Sequence, residues 1–517
     1  MLLCATNVRK QLTRSGTTGA LIVFSALQFI RPFAAGYYQV TMPTETEIKC
    51  RLQPQQVAAL ATLLDTLAQP QGHSTLKNRY FDTPQNALAN ARAALRIRDN
   101  NGQCEQTLKT RGTSVAGLQQ RGEWNWPLTG AALDLTLLQQ DEVTAHWPAG
   151  VQASELAEIF ATDFNRQRWL WQQDNAQVEI VIDTGTVSTG KKSVPLCELE
   201  LELQQGDAAV LWQLLQQLSE QVPLWLSDVS KAERGYRLAG LSRSWQETVS
   251  FRRDEDLAQV LPRWLNAELQ QWQRALEACL WDNDSAAALT ALQHWQALRQ
   301  LPQQAGKVLK RRDTKALREA LDIWQAPLQQ LATQAQLLAY LNSADEPGQT
   351  AAERKALQQQ VQQQLQTIRN DAQLAQAGSA AAGALHTLVW PESTGATAAR
   401  WLRHALQQQA PLLQRLHDQR PQDEEQWRGR QHDMALLCQS CDYLRGRPEL
   451  GQGLGINGAG IGEGTLRVLV DMLHAQTLLQ RPWPLAPLTG PDGQELRPLA
   501  DYAGWAVEHL AQLAREL

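Results

Sequence analysis

Four short segments of the 517-residue chain carry charged residues at alternate positions. In TETEIK, Glu45, Glu47 and Lys49 alternate with Thr46 and Ile48, and in LRIR, Arg96 and Arg98 alternate with Leu95 and Ile97. In EQTLKTR, Glu105, Lys109 and Arg111 share a phase, and in CELELEL, Glu198, Glu200 and Glu202 alternate with Leu199, Leu201 and Leu203. Strand residues i and i+2 point the same way, so each segment presents a charged face. Carboxylates are hard oxygen donors suited to Mg²⁺ or Mn²⁺. Arginine matches phosphate oxygens bidentately, and lysine adds a point charge. A merely solvated sheet face would mix the two signs evenly, whereas here some strands offer only carboxylates and others mostly cations. Three like charges in line repel. A closed or nearly closed barrel with its charged faces inward offsets that repulsion, holding metal against the acids and a polyanion against the cations.

The elements that position these residues show in the hydrophobic period. From about residue 44 to 241 apolar residues recur every second position, with strands expected at 44–50, 94–98, 105–111, 123–128, 178–183 and 196–203. Two helical insertions, 55–67 and 208–221, carry apolar residues at spacings of three and four. The region is therefore α+β and dominated by antiparallel strands.

Within it, eight segments in order, ETEIK (45–49), LRIR (95–98), TLK (107–109), RGE (121–123), FNR (164–166), IDTG (182–185), CELELE (197–202) and SKAERGY (230–236), resemble the signature set of the CYTH (triphosphate tunnel metalloenzyme) superfamily. The resemblance covers residues 42 to about 241. It implies an eight-stranded antiparallel β tunnel whose divalent metal, Mg²⁺ or Mn²⁺, serves chemistry on triphosphates. It also implies phosphate-gripping roles for Lys49, Arg96, Arg98, Lys109, Arg166 and Lys231, joined by Arg121 and Arg234. The metal ligands it implies are Glu45, Glu47, Glu198, Glu200, Glu202 and Asp183, with Glu123 nearby. Glu47 and Lys49 are the catalytic candidates. A lysine among cations can have a lowered pKa and move a proton, or Lys49 can serve as charge alone.

The function so implied is a metal-dependent inorganic triphosphatase that hydrolyses tripolyphosphate to pyrophosphate and phosphate. Thiamine triphosphatase and adenylyl cyclase are alternatives within the superfamily, and a non-catalytic polyphosphate-binding scaffold is an alternative outside enzymology. The cyclase branch typically carries a His-Phe pair shortly before ExExK, where this chain reads YYQVTMPT. A pure anion binder gains nothing from carboxylates facing its ligand, and Glu45, Glu47, Glu198 and Glu200 are all present.

After about residue 252 the period changes to 3.6. Leu265, Leu269, Trp272, Leu276 and Leu280 make one stripe, and Leu317, Leu321, Trp324, Leu328 and Leu331 a second. Leu357, Val361, Leu365 and Ile368 make a third, and Ala506, Leu510, Leu513 and Leu517 a last. An all-α bundle follows, with its Trp residues in the core. Seven of the nine histidines lie here, at His294, His386, His404, His417, His432, His474 and His509. Position, helicity and histidine content resemble a divergent CHAD domain, a helical module associated with polyphosphate binding. Lys307, Arg311, Lys315 and Arg318, spaced four, four and three apart, offer one basic helical face for a polyanion. The Gly-rich segment 451–464 has neither a preceding strand nor a Walker lysine and reads as a flexible loop.

The expected organisation is an extension at 1–41 outside the fold, a catalytic domain at 42–245 and a helical domain at 252–517. The extension holds four cations, no acid and an apolar run from Ala20 to Ile30 that is too short to span a bilayer. It reads as sequence upstream of a start at Met42 in preference to a secretory signal. Seven scattered cysteines fit no secreted disulfide framework, and Cys438-x-x-Cys441 alone makes a poor zinc site. A cytoplasmic protein with neither a membrane nor a specific nucleic acid as partner is expected. The net charge of −5 resolves into +4 for 1–41, −6 for 42–251 and −3 for 252–517. An acidic domain that grips a polyanion requires its acids to be cancelled by metal and its cations to converge.

Overall fold

Alternation of the kind seen in residues 44–50 closes on itself in three dimensions. The computed structural model describes residues 44–401, apart from breaks at 111, 116, 145–146, 149–150, 191, 242–248, 250–251, 253, 307, 344–346 and 399, together with residue 426. Elements run β1 (Thr44–Arg51), α1 (Val57–Leu67), β2 (Gln69–Asp82), α2 (Ala87–Asn90), β3 (Ala94–Asn100), β4 (Gln103–Lys109), β5 (Thr113–Val115) and β6 (Leu118–Leu128). They continue with α3 (Asp141–Thr144), β7 (Ala157–Gln173), β8 (Ala176–Thr189), β9 (Lys192–Gln205), α4 (Ala209–Ser219), β10 (Trp225–Leu226) and α5 (Lys231–Leu238). Helices follow: α6 (Leu257–Trp281), α7 (Ala287–Gln304), α8 (Lys315–Ile323), α9 (Gln325–Ser343), α10 (Pro347–Asn370) and α11 (Ala372–His386).

Eight strands form the ring β1-β9-β8-β7-β2-β3-β4-β6, which the β1–β6 pairing closes, so no open edge is left in it. All ring pairings are antiparallel. The short strands β5 and β10 flank the seam: β1 pairs with β6 as far as Ile48, then with β10 from Cys50. The expected antiparallel tunnel followed by helices is the architecture found: α4 and α5 come after the ring's last strand, and the six helices α6 to α11 then make up the helical region among the described residues. The expected strand at 105–111 ends at Lys109, and Arg111 lies outside the described residues.

The apolar phase of the strands faces outward and is covered. Ile48, Cys50, Ile180, Ile182, Leu199 and Leu201 join one core with Leu60 and Leu64 of α1, Leu211 and Leu215 of α4, and the stripes of α6 to α11. That covering forces the polar phase inward, because only one phase of an alternating strand can meet the helices. At one end the lumen is itself apolar. Leu76, Tyr80, Phe160, Phe164, Val187 and Leu196 meet Tyr236 of α5 there, with Phe160 stacked on Tyr80 at 4.6 Å and edge-on to Tyr236 at 5.0 Å.

The α6 and α10 stripes are buried as expected, while the second stripe is divided by a break at Trp324 between α8 and α9. The basic helical face is a correction. Residues 305–306 and 308–314 hold turns closed by Leu309 N–H to Ala305 C=O at 2.9 Å and Asp313 N–H to Lys310 C=O at 2.9 Å, and α8 begins only at Lys315. Arg311 therefore sits on a turn, off the helix that carries Lys315 and Arg318, and Lys307 lies outside the described residues. His404, His417, His432, His474, His509, Cys438, Cys441, the Gly-rich segment, the closing stripe and the 1–41 extension also lie outside them.

Candidate active site

The register aligns the charged positions of neighbouring strands into rows around the lumen. Lys49 opposes Glu200, Arg51 opposes Glu198, Glu198 opposes Asp183, and Asp183 opposes Arg166. Across the seam Glu45 opposes Arg121, and on the far side Arg98 opposes Glu105 and Lys109 opposes Glu123. Two further cations arrive on α5. Its first turn is set by Ser230, whose Oγ accepts the Glu233 N–H at 3.1 Å, and this cap aims Lys231 and Arg234 at β8 and β9.

Carboxylate oxygens of Asp183, Glu198 and Glu200 lie within 4.8 Å of one another. Asp183 and Glu198 are fully buried. Three converging hard donors suit a divalent cation that keeps part of its water shell. Cations surround them. Lys231 lies 2.8 Å from Asp183 and 3.0 Å from Glu200, and it also contacts Glu198. Arg166 spans Asp183 at 2.7 Å and Glu200 at 2.9 Å, Lys49 reaches Glu200 at 3.1 Å, and Arg234 pairs with Glu198. Burial would raise the Glu200 carboxyl, but Lys231, Lys49 and Arg166 outweigh it and hold the group well below the usual range. Burial is likewise outweighed at Asp183, by Arg166 and Lys231, so both acids are ionised at neutral pH.

A second group lines the seam. Lys109 bridges Glu45 at 2.9 Å and Glu123 at 2.7 Å, and Arg121 meets Glu45 at 3.3 Å and also contacts Glu47. Glu202 stands near Glu45 and Glu47. Burial first, then those two carboxylates, push its pKa up to about 7. Arg96 is 3.8 Å from Glu123 and hydrogen-bonds Tyr80, while Arg98 Nε donates to Asn78 Oδ1 at 2.9 Å. Burial, Arg96 and Arg166 together press Arg98 down to about 9, which leaves it the most anion-starved of these cations. A polyanion threaded between Arg96, Arg98 and Arg166 would relieve that crowding.

Among the described residues the register brings the picked cations and acids around the lumen, and the acids fall into two groups: Asp183, Glu198 and Glu200 converge, while Glu45, Glu47 and Glu202 lie along the seam. Of the two roles open to Lys49, proton transfer and charge alone, its surroundings favour charge. Burial lowers its pKa, but Glu47, 3.1 Å away, with Glu200 and Glu198, raises it above the ordinary lysine value, so Lys49 is a fixed cation in this arrangement. Arg51, Asn78, Tyr80, Ser227 and Glu277 were missed. Arg51 had a signal, since it continues the phase of Glu45, Glu47 and Lys49 by one more step. Glu277 had a weaker one: with Gln270, Gln273 and Arg274 it forms a polar stripe at helical spacing beside the apolar stripe of α6, and all four are buried.

Residues 43–236 match the CYTH domain. The inorganic triphosphatase of Haemophilus influenzae is 30% identical over 252 residues, spanning 46% of this chain and 69% of that protein. Two solved structures are similar over 37% of the chain. One, a putative adenylyl cyclase from Hippeastrum described as having dominant triphosphatase activity, is 21% identical and covered over 95% of its length, with a TM-score of 0.31. The other, the PH1819 protein of Pyrococcus horikoshii, is 16% identical and covered over 97%, with a TM-score of 0.26.

Proposed function

The chain belongs to the CYTH family, and from that premise we propose that it is an inorganic triphosphatase, cleaving tripolyphosphate to pyrophosphate and phosphate with Mg²⁺ or Mn²⁺. The observation that carries this reading is the convergence of Asp183, Glu198 and Glu200 on a lumen ringed by cations. The donor set fits a hard divalent ion, and Glu45, Glu47 and Glu202 form a second carboxylate group beside it. Bound there, the ion supplies charge neutralisation on phosphate oxygens and a polarised water.

The protein's own contribution is positioning. Arg96, Arg98 and Arg166 hold phosphate oxygens by guanidinium forks, while Lys49, Lys109 and Lys231 add point charges, with Arg121 and Arg234 fixing the acids that neighbour them. Glu47, beside Lys49 and Arg121, is placed to orient the attacking water. Lys49 acts as charge. The aromatic end formed by Tyr80, Phe160 and Tyr236 excludes bulk water from one side of the lumen, which strengthens each of these interactions.

In the same proposal the helical region is a CHAD-like module, with exposed Arg311 and Lys315 and half-buried Arg318 as its polyphosphate contacts. The setting we assign is the cytoplasm, supported by free buried Cys50, Cys197 and Cys279. No described helix is long and apolar enough to cross a membrane. The test is phosphate release from tripolyphosphate, ATP and thiamine triphosphate with each metal. Tripolyphosphate is expected to be turned over fastest, release to cease with chelator, and Glu47→Gln to lose at least about tenfold. No release from any of the three substrates overturns the enzyme reading, and faster release from thiamine triphosphate moves the assignment to that substrate.

A further inference from the structure

At the end of the ring where β1 parts from β6, the helical region enters the charge network. Glu277 of α6 is 4% exposed. Its Oε1 accepts from Arg51 Nη1 at 3.1 Å and lies 3.5 Å from Arg234 Nη2, and its Oε2 accepts from Ser227 Oγ at 2.6 Å. Arg234 Nη2 also donates to Ser227 Oγ at 3.3 Å and to the Val229 carbonyl at 3.2 Å, leaving Nη1 for Glu198. Arg51 is the cross-strand neighbour of Glu198, yet its guanidinium turns to Glu277 and lies over the Trp281 ring at 5.0 Å.

We propose that Glu277 is a positioning residue for the tunnel's metal site: it holds Arg51 away from Glu198 and anchors Arg234, so that Glu198 keeps the orientation in which it converges with Asp183 and Glu200. The inference rests on the reading that these three acids hold the metal. Its physical basis is the burial of both guanidiniums. Two cations out of water, sharing one anion, repel each other strongly once that anion loses its charge. Arg51 then has Asp282, which already acts on it, and Glu198, directly across the β1–β9 pairing, as the remaining acids, and Glu198 already takes Lys231 and Arg234. A third cation on Glu198 competes with a divalent ion for the same oxygens. The helical region is on this account part of the site, through one carboxylate.

The experiment uses the full chain and reads Mn²⁺ binding directly, from the EPR signal of the free ion, before any turnover is measured. Glu277→Gln keeps the shape and the Ser227 contact and removes the charge, so Mn²⁺ affinity is expected to fall about 10-fold or more, as for other residues that orient metal ligands. The KM for tripolyphosphate at saturating Mn²⁺ is expected to stay near native, since Arg96 and Arg98 stand on β3, which pairs with neither β1 nor β9. Glu277→Gln/Arg51→Met is expected to recover Mn²⁺ affinity, because the competing cation is gone, and Arg51→Met alone to bind Mn²⁺ at least as tightly as native. Native affinity in Glu277→Gln, or a double variant weaker than either single one, overturns the inference. If Glu277→Gln does not fold, Mn²⁺ binding to Arg51→Met decides, and a loss there overturns it too. A native chain that neither binds Mn²⁺ nor releases phosphate instead overturns the functional reading.

Discussion

Glu198, Glu200 and Glu202 come from one repeat, yet the register gives them three different surroundings. Glu198 sits between Arg51 and Asp183 and takes Lys231 and Arg234; Glu200 takes Lys49, Arg166 and Lys231. Glu202 opposes Glu47 and Glu179 and has Gln204 as a hydrogen-bond partner at 3.0 Å. Its carboxyl is therefore raised from 4.5 to about 7, by burial first and then by Glu45 and Glu47. A group raised in the folded chain favours folding in its protonated form. Its contribution is complete below about pH 4.5 and declines as pH climbs through about 7, because the unfolded chain has released a proton that the folded chain must also surrender at a cost. Glu202→Gln, neutral throughout, is accordingly expected to melt higher than the native chain at pH 8 in metal-free buffer, with the gap closing toward pH 4.5. Calorimetric melting curves across that range check it, and a gap that widens as pH falls would contradict the assignment.

Among the helices, α5 is held at close range by a glycine. A Cβ on Gly235 would sit 2.1 Å from the Phe160 ring, so glycine lets the helix approach β7 closely enough for Lys231 and Arg234 to reach Glu198. Gly235→Ala is expected to cost about 1–3 kcal/mol by overpacking, and to lower triphosphate turnover by more than this loss of stability explains. Gly235→Ala/Phe160→Leu should regain part of the activity, and turnover assays on both variants after a thermal-melt control decide between displacement of α5 and simple unfolding. The SKAERGY motif pointed to Lys231 and Arg234, but neither the helix that carries them nor its contact with Phe160 was legible, the latter because β7 and β2 escaped the period-two reading. In β2 the polar residues Lys77 and Arg79 alternate with Leu76, Asn78 and Tyr80, so polar side chains occur in both phases and only the pairing partners reveal the strand. Strands whose outer face meets helices, such as β8 and β9, alternate cleanly, and their middles were read at 178–183 and 196–203, although the strands run on to Ala176–Thr189 and Lys192–Gln205. The lumen residues were legible for the same reason. What one chain's alternation cannot specify is which acid meets which cation, since that depends on register across sequence-distant strands, as between Glu198 and Lys231 or Arg51 and Glu277.

At the scale of the whole molecule, the ring and the helices share one apolar core, which runs from Ile48 and Leu201 through Trp212 and Leu215 to Trp272, Trp324 and Leu385. Trp225 at the ring's edge packs edge-on to Trp281 and Trp324 and donates its indole N–H to the Arg369 carbonyl at 3.1 Å. The ring and the described helices α6 to α11 differ in architecture, but each supplies part of the other's interior. A fragment ending at residue 245 would expose the apolar faces of β10 and α4, at about 1.5–3 kcal/mol for each large side chain returned to water. It would also leave Arg51 and Arg234 without Glu277. We therefore expect the 42–245 fragment to aggregate or to melt well below the full chain, and the full chain to unfold with far-UV circular dichroism and tryptophan fluorescence changing together. Size-exclusion chromatography and paired melting curves test this. A monomeric fragment that melts with the full chain would mean that the barrel stands alone and that its helical cover serves something other than its stability. Loss of folding in the fragment would make the point variants at Glu277 the route to the helical region's part in metal binding, because they change one charge and leave the shared core in place.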